Sequence, residues 1–277
     1  MTDTPAAPRD IDTSRPHSAR MYDYYLGGKD HFEVDKKAAQ QVARAYPGIF
    51  VCAQQNRAFM HRATRLLARE YGLKQWLDIG TGIPTEPNLH QVAQSLVPEA
   101  RVVYADNDPL VLKYAETLMH STREGRTAYI HADVNDPDAI LKAPALQQVL
   151  DLDQPVALSL NALLHFVTDA QEPRAIVNRL MDAFPPGSAL AVSHCTPDFD
   201  PDTWEKVTDI YNSSGTPVQF RSRDDVARFF EGFDLIEPGI VVGHRWHPEY
   251  AAEPGGDNPD DHTDAEVSLW AGVAIKR

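Results

Sequence analysis

The sequence predicts an α/β protein built around a parallel sheet. Short apolar segments alternate with amphipathic helical segments from about residue 75 onward, and capping or turn residues separate them. The chain has 277 residues, of which 43% are hydrophobic and 24% charged, so it can bury a substantial core. This composition excludes a disordered or fibrous protein.

The first 72 residues contain helical patterns and no clear strand. Residues 1–17 lack periodicity and predict a mobile tail. Asp35 is a plausible N-cap for a helix over 36–46. A second helix, which Gly72 can end, carries one apolar face at i, i+4, i+7 and i+8, formed by Phe59, Ala63, Leu66 and Leu67. We therefore predict a helical cap over residues 18–72.

Five predicted strands then alternate with helices. They cover 75–80, 101–106, 127–133, 156–160 and 189–193. Two of the intervening helices open on an Asp-Pro pair, at Asp108-Pro109 and Asp136-Pro137, where a capping residue precedes proline at the first helical position. Alternation of this kind predicts parallel strands with helices on both faces of the sheet.

In the last part of the predicted domain, which spans 73–277, the regular alternation of strands and helices ends. Two closing strands are expected at 239–246 and 267–276 and would form an antiparallel hairpin. Between them, residues 249–266 carry seven acids and neither Lys nor Arg. We expect this acidic insertion to be a solvated loop, with steering of a cationic substrate or gating as the alternatives.

Charge and composition exclude several classes of partner. The formal net charge of −14 repels nucleic acid and anionic membranes alike. The two cysteines, Cys52 and Cys195, support neither a disulfide framework nor a metal-ligand spacing. No apolar stretch is long enough to span a membrane. We therefore expect a cytoplasmic protein that acts on a small molecule, without nucleic acid, membrane or metal.

Polar residues follow four of the predicted strands, at the edge where parallel sheets bind ligands. After the first strand, Gly80 and Gly82 let the backbone turn tightly behind Asp78. Asp106 follows the second strand and is suited to accept the hydroxyl protons of a ribose. Asp133 and Val134 follow the third strand and suit an adenine ring, the first as an acceptor and the second as an apolar cover.

The sequence after this turn argues against a diphosphate. A dinucleotide site has a third glycine or an alanine where Thr85 stands, and Pro84 and Glu86 put a missing N–H and a carboxylate where phosphate needs donors. S-adenosylmethionine fits better because it keeps adenosine but carries a cationic sulfonium and an aminoacyl arm. A nucleotide-dependent dehydrogenase is thus a weaker hypothesis than a protein that binds S-adenosylmethionine.

These features together resemble a class I S-adenosylmethionine-dependent methyltransferase. The resemblance rests on the turn at 78–82, on Asp106 and Asp133, and on the late segment 232–239. More narrowly, residues 18–30 and the Asp-Ile-Gly-Thr-Gly-x-Pro-Thr turn resemble a bacterial family described only as S-adenosyl methyltransferase. The resemblance implies a Rossmann-like sheet of seven strands, the last antiparallel, with an N-terminal helical cap.

The resemblance also implies roles for individual residues. Asp78, Gly80 and Gly82 would line the methionine moiety, Asp106 the ribose, and Asp133 and Val134 the adenine. Asn161, after the fourth strand, would lie beneath the sulfonium. The remaining residues of the predicted cofactor-binding set are Thr81, Asn107 and, from the cap, Tyr22, whose ring is suited to a sulfonium or, alternatively, to packing between helices.

Methyl transfer needs orientation more than strong acid–base groups. If the acceptor needs a base, His165 is the best-placed histidine, with His194 and His31 as alternatives. His244 and His247 are predicted to face opposite sides of a strand, which disfavours a metal there. We predict methyl transfer to an unidentified small molecule, the alternative being a protein that binds S-adenosylmethionine without turnover.

Overall fold

The computed structural model describes residues 11–118, 120–251 and 258–277, without the side chains of 115–118. Its strands are β1 (Gln75–Ile79), β2 (Arg101–Asp106), β3 (Arg126–His131), β4 (Ala157–Asn161), β5 (Ala189–Cys195), β6 (Asp234–Leu235), β7 (Val241–Val242) and β8 (Leu269–Ile275). Its α-helices are α1 (Ser18–Tyr25), α2 (Glu33–Ala45), α3 (Ile49–Glu70), α4 (Leu89–Leu96), α5 (Pro109–Leu118), α6 (Pro137–Leu141), α7 (Pro144–Val149), α8 (Pro173–Asp182), α9 (Pro201–Ser213), α10 (Arg223–Ala227) and α11 (Asp264–Val267).

The strands form one mixed sheet in the order β3-β2-β1-β4-β5-β8-β6, with β7 also paired to β8. The first five strands are parallel to one another, and β8 runs antiparallel to β5. β6 and β7 share the outer edge of β8 and thus occupy a single, interrupted strand position. The predicted Rossmann-like sheet, mostly parallel with its last strand antiparallel, is confirmed.

The predicted strand over 239–246 is wrong for most of its length. Only Val241 and Val242 pair with β8, and a 3-10 turn occupies Gly243–Arg245. The guanidinium of the buried Arg62 donates to the carbonyl oxygens of Gly243, at 2.6 Å, and Trp246, at 2.8 Å. Because those carbonyls bond to a side chain from α3, they do not extend the ladder.

Alternating residues of the strands build two cores on opposite faces of the sheet. One contains Leu77 and Val103, packed against helices that include α8. The other contains Trp76 and Val102, packed against the apolar face predicted on α3. That 22-residue helix therefore belongs in part to the body of the sheet. The division of the chain into a cap over 18–72 and a domain over 73–277 remains a proposal.

A third apolar cluster joins α1, α2 and the start of α3 to α9. Residues 1–10 of the predicted tail lie outside the described residues, whereas residues 11–17 contact the body of the protein. The backbone N–H of His17 donates to Asp35 at 2.9 Å, and the guanidinium of Arg20 donates to the carbonyl oxygen of Asp12 at 3.0 Å. This part of the predicted tail is thus tied to α1 and α2.

The acidic insertion is described only in part, because residues 252–257 lie outside the described residues. Its C-terminal part includes α11, where Asp264 accepts a hydrogen bond from Arg245 at 2.7 Å and the Tyr46 hydroxyl donates to the carbonyl oxygen of Glu266 at 2.6 Å. The insertion is therefore anchored on this side. In the part of the chain that the structure describes, no helix has the length and apolar character needed to cross a membrane.

Candidate active site

A cavity opens at the carboxyl ends of β1 to β4, beneath α1 and the first half of α3. Every residue of the predicted site lines it: Tyr22, Asp78, Gly80, Thr81, Gly82, Asp106, Asn107, Asp133, Val134, Asn161 and His165. The sheet brings these residues together because parallel strands end at one edge. The roles of the individual residues remain predictions.

The glycine turn is held in shape by the carboxylate of the next strand. Gly80 and Gly82 have φ values of +73° and +68°, in the left-handed region that favours glycine. The backbone N–H of Gly82 donates to Oδ2 of Asp106 at 2.8 Å, and the N–H of Asp108 donates to Oδ1 at 2.9 Å. Burial raises the pKa of Asp106, although these two N–H groups act in the opposite direction.

Asp133 is fixed by amide groups on both of its oxygens. Its Oδ2 accepts from the side chain of Asn107 at 3.0 Å, while its Oδ1 accepts from the backbone N–H of Asn135 at 2.8 Å. Partial burial acts to raise the pKa of Asp133, but these hydrogen bonds outweigh it and the pKa is lowered. Asp133 is therefore an ionised acceptor beside the buried Val134.

Asp78 is a buried carboxyl at the floor of the cavity. Burial raises its pKa from an ordinary value of 3.8 to about 6, against the lowering effects of a hydrogen bond to Ser159 and the nearby Arg57 guanidinium. Arg57 also donates to the carbonyl oxygens of Thr85, at 2.5 Å, and Pro87, at 2.8 Å. A cation and an acid therefore lie near each other at this end of the cavity.

If Asp78 contacts a cationic ligand, as predicted, its pKa makes the binding of that ligand depend on pH. Since the folded-state pKa of Asp78 lies above its unfolded value, the carboxylate ionises only as the pH rises through about 6. We expect the affinity for S-adenosylmethionine to rise about tenfold between pH 5 and pH 7, measured by calorimetry. Without ligand, the same shift lowers the free energy of unfolding as the pH rises over this range. An equally steep pH profile in Asp78→Asn would contradict the assignment.

Asn161 carries a buried polar atom that lacks a partner among the described residues. Its Nδ2 donates to the hydroxyl of Ser159 at 2.7 Å, whereas its Oδ1 has no hydrogen-bond donor. An unsatisfied buried acceptor costs about 1–3 kcal/mol. A ligand that brings positive charge close to this oxygen would reduce that cost.

Tyr22 is connected to the sheet through Asn56 of α3. The Tyr22 hydroxyl donates to the carbonyl oxygen of Ala53 at 3.0 Å and accepts from Nδ2 of Asn56 at 2.7 Å. Oδ1 of Asn56 accepts from the hydroxyl of Ser193 in β5 at 2.5 Å. The hydroxyl of Tyr22 is thus hydrogen-bonded within the protein, and Tyr22 also lines the cavity.

The structure separates the three histidines that the sequence left as possible bases. His165 is buried, lines the cavity, and has an Nδ1 without a partner among the described residues. His194 does not line the cavity: Arg221 donates to its Nε2 at 3.1 Å, and its Nδ1 bonds the carbonyl oxygen of Cys195 at 2.7 Å. His31 is paired with Asp23 at 2.8 Å, also away from the cavity. His165 alone of the three fits the role.

Beyond the strand ends the cavity continues into a chamber that sequence reasoning missed. This aromatic chamber is lined by Tyr25, Phe166, Trp204, Tyr211 and Phe220, together with Ile49, Cys52, Cys195, Val207 and Leu269. The sequence also left out Arg57 and Asn56. Asn56 had a detectable signal, since it is a polar residue at helical spacing between Cys52 and Met60 on an otherwise apolar face.

His244 and His247, which were predicted to face opposite sides of a strand, do not lie on a strand. His244 lies in the 3-10 turn rather than on a strand, 3.4 Å from a carboxylate oxygen of Asp264, and His247 bonds Glu249 at 2.5 Å. Within the described ranges, no cluster of three His, Cys, Asp or Glu side chains is arranged to hold a metal ion.

A Rossmann-like sheet with one antiparallel strand, a glycine turn after β1 and acids at the tips of β1, β2 and β3 defines the class I methyltransferases. The chain matches the family of S-adenosyl methyltransferases over residues 4–277 and therefore belongs to it. It is a methyltransferase that depends on S-adenosylmethionine. The chain has no detectable match among curated proteins.

Two solved structures are similar over nearly the whole chain. A DUF574 family protein from Streptomyces avermitilis has 46% sequence identity and a TM-score of 0.92, over 96% of this chain and 100% of its own. A proposed methyltransferase from Thermobifida fusca has 35% identity and a TM-score of 0.87, over 98% of each chain. Both similarities support the family assignment and the fold.

Proposed function

We propose that this enzyme transfers the methyl group of S-adenosylmethionine to a small-molecule acceptor enclosed in the cavity. The observation that carries the proposal is that one cavity joins the strand-end residues to the aromatic chamber. A methyl donor at the strand ends and a methyl acceptor in the chamber would therefore meet inside one cavity. Ligands that fill this cavity would displace water, which would otherwise separate or solvate the reacting atoms.

The residues at the strand ends suit the parts of the cofactor. Asp106 would accept from the ribose hydroxyls, and Asp133 and Val134 would hold the adenine. Asp78 and Arg57 would face the ammonium and carboxylate of the methionine arm, consistent with their opposite charges. The unpartnered Oδ1 of Asn161 would place a partial negative charge near the positively charged sulfonium of the ligand. When bound, S-adenosylmethionine supplies an activated methyl group and a good leaving group.

The protein contributes positioning and one proton acceptor. The hydrogen bonds from Tyr22 through Asn56 to Ser193 connect α1, α3 and β5, and thereby fix the roof of the cavity over its floor. Burial lowers the pKa of His165 well below its ordinary value, so its imidazole is neutral and can accept a hydrogen bond. We propose His165 as the group that receives the proton of the acceptor.

The proposal is tested by binding and turnover measured on the same preparation. Calorimetry is expected to show binding of S-adenosylmethionine and of S-adenosylhomocysteine, its demethylated product, in preference to NAD. Methyl transfer would then be followed with a labelled methyl group across a panel of metabolites. Binding without transfer to any compound would favour a sensor or partner-binding role, and failure of both adenosyl ligands to bind would overturn the proposal.

The remaining proposals follow from charge and composition. A formal net charge of −14 argues against nucleic acid or anionic lipid as the acceptor. We keep a cytoplasmic location as part of the same proposal, since the two cysteines are free thiols in the structure.

A further inference from the structure

The N-terminal end of α1 forms part of the cavity wall at the end where the nucleoside is proposed to bind. His17, Ser18 and Ala19 line the same cavity as Asp106 and Asp133, which stand at the tips of β2 and β3. The sequence predicted a mobile tail up to residue 17, so His17 was absent from the predicted site. Its place in the cavity wall gives this residue a candidate role in binding.

The first turn of α1 is fixed to the segment that follows β2. The buried Arg20 donates from Nε to Oδ2 of the buried Asp108 at 2.8 Å. The backbone N–H of Asp108 in turn donates to Oδ1 of Asp106 at 2.9 Å. Ala19 also shares an apolar cluster with Val111 of α5. The start of α1 therefore holds a defined position relative to the predicted ribose acid.

The imidazole of His17 lies near both of the acids predicted to hold the nucleoside. Its Nδ1 is 3.4 Å from Oδ2 of Asp108. Burial acts to raise the pKa values of Asp106 and Asp133, and the imidazole of His17, when protonated, acts to lower both. A charge affects two carboxylates in this way only if it is close to each of them. A nucleoside that joins the two acids would therefore pass beside His17.

The hydrogen bond at Nδ1 makes Nε2 of His17 a donor. Nδ1 accepts from the backbone N–H of Ala19 at 3.3 Å and so caps α1. A neutral imidazole that accepts at Nδ1 carries its proton on Nε2, and a protonated imidazole carries a proton on both nitrogens. The side chain is 28% exposed, and Nε2 has accessible surface but no hydrogen-bond partner among the described residues. A ligand in the cavity can therefore meet this N–H.

Capping of α1 is the alternative role for His17. Ser, Thr, Asp and Asn are the strongly preferred N-caps, because a side-chain oxygen close to the backbone reaches the free N–H groups of the first turn. The bond between Nδ1 and the N–H of Ala19, at 3.3 Å, is longer than most hydrogen bonds from N–H groups. Capping alone thus explains neither the histidine nor the accessible Nε2.

We infer that His17 is a further cofactor-binding residue, whose Nε2–H donates a hydrogen bond to a ribose hydroxyl oxygen of S-adenosylmethionine. This inference rests on the proposed placement of the cofactor and adds a residue to it. Asp106 would accept the hydroxyl protons, which leaves lone pairs on the hydroxyl oxygens for a donor. The ribose is favoured over the adenine because Nδ1 of His17 lies beside Asp108, whose N–H binds Asp106. The sugar would then be held from β2 and from α1 at once.

The test compares two ligands that differ only in the ribose hydroxyls. Dissociation constants of S-adenosylhomocysteine and of its 2′,3′-dideoxy analogue are measured by titration calorimetry on the full chain. We expect the unchanged protein to prefer S-adenosylhomocysteine by at least about a hundredfold, since a site built to bind hydroxyl groups rejects an analogue without them.

Two substitutions of His17 separate the donor from the helix cap. His17→Asn places an amide oxygen near the position of Nδ1, which keeps the cap and removes the donor at Nε2. It is expected to weaken the binding of S-adenosylhomocysteine about tenfold and to leave the affinity for the dideoxy analogue unchanged. His17→Gln places an amide nitrogen near the position of Nε2, so we expect it to retain most of the preference while its Tm falls through loss of the cap.

His262→Asn is the matched control, because His262 lies outside the cavity. It is expected to bind both ligands as the unchanged protein does. Thermal denaturation of each variant shows that the chain is folded at the temperature of the titrations.

The possible results distinguish this inference from the proposed function. A full preference for S-adenosylhomocysteine in His17→Asn would overturn the role of His17. Equal losses of affinity for both ligands in that variant would overturn the ribose contact and place His17 against another part of the cofactor. Equal losses of the preference in the Asn and Gln variants would overturn the role of Nε2 as a donor. If the unchanged protein did not bind S-adenosylhomocysteine, the proposed function itself would be contradicted.

Discussion

Replacing Asp106 with alanine is expected to weaken the binding of S-adenosylhomocysteine by about tenfold to more than a hundredfold. The change removes a buried charged acceptor from the proposed ribose site, and such hydrogen bonds contribute roughly 1.5–3 kcal/mol. It also leaves the backbone N–H groups of Gly82 and Asp108 without their shared carboxylate. The dissociation constant would be measured by titration calorimetry.

Two further variants separate recognition of ribose from general damage. Asp106→Asn keeps the shape and one acceptor oxygen and is expected to give an intermediate loss. Asp153→Ala removes an exposed aspartate that precedes β4, away from the cavity, and is expected to bind normally. Urea denaturation of each variant shows whether the binding site is folded. A dissociation constant in Asp106→Ala equal to that of the unchanged protein would refute the ribose assignment.

Replacing Gly82 with alanine is expected to weaken S-adenosylhomocysteine binding by roughly tenfold to a hundredfold. Gly82 lines the cavity, and a Cβ atom added to it would meet no protein atom within 4 Å, so it would extend into open space. If the ligand passes close to this turn, the added methyl group overlaps with it. Overpacking of this kind costs about 1–3 kcal/mol.

Gly72→Ala is a matched control for the backbone cost of this change. Gly72 has a φ of +65°, close to the +68° of Gly82, and a Cβ there also meets nothing within 4 Å. Both variants should therefore lose a similar free energy of unfolding, roughly 1–2 kcal/mol. Only Gly82→Ala should lose affinity. Similar affinities in the two variants would place the ligand away from the glycine turn.

The strand-end half of the site was predictable because each of its residues lies close in sequence to the end of a predicted strand. Asp78, Asp106 and Asp133 each stand at or just beyond the end of a short apolar segment, and parallel strands bring such ends to one edge. The sequence pattern therefore predicted both the fold and the residues that meet there. Their hydrogen-bond partners were harder to predict from the sequence, since the bond between Gly82 and Asp106 joins residues 24 positions apart.

The aromatic chamber was not predictable from spacing. Trp204 lies on α9, Phe220 on the irregular segment after it, and Tyr25 at the end of α1. The hydroxyls of Tyr25 and Tyr211 meet across 186 positions, and no local periodicity encodes such a contact. An aromatic residue on a helix face is indistinguishable in sequence from one that packs in an ordinary core.

The prediction of a strand over 239–246 failed for a similar reason. β6 and β7 have only two residues each, too few to show an alternation of apolar and polar side chains. Their boundaries depend on long-range contacts such as those of Arg62, 181 and 184 positions away from the carbonyls it binds. Tertiary hydrogen bonds decided the structure here, against a local sequence that favours a longer strand.

The most direct test of this account is a crystal structure of the protein with S-adenosylhomocysteine. We expect continuous density across the tips of β1, β2 and β3, with the ribose hydroxyls within hydrogen-bond distance of Asp106, the adenine beside Val134 and the sulfur facing the aromatic chamber. Density for the ligand at another place on the molecule, or an adenosyl group whose ribose lies away from Asp106, would contradict it.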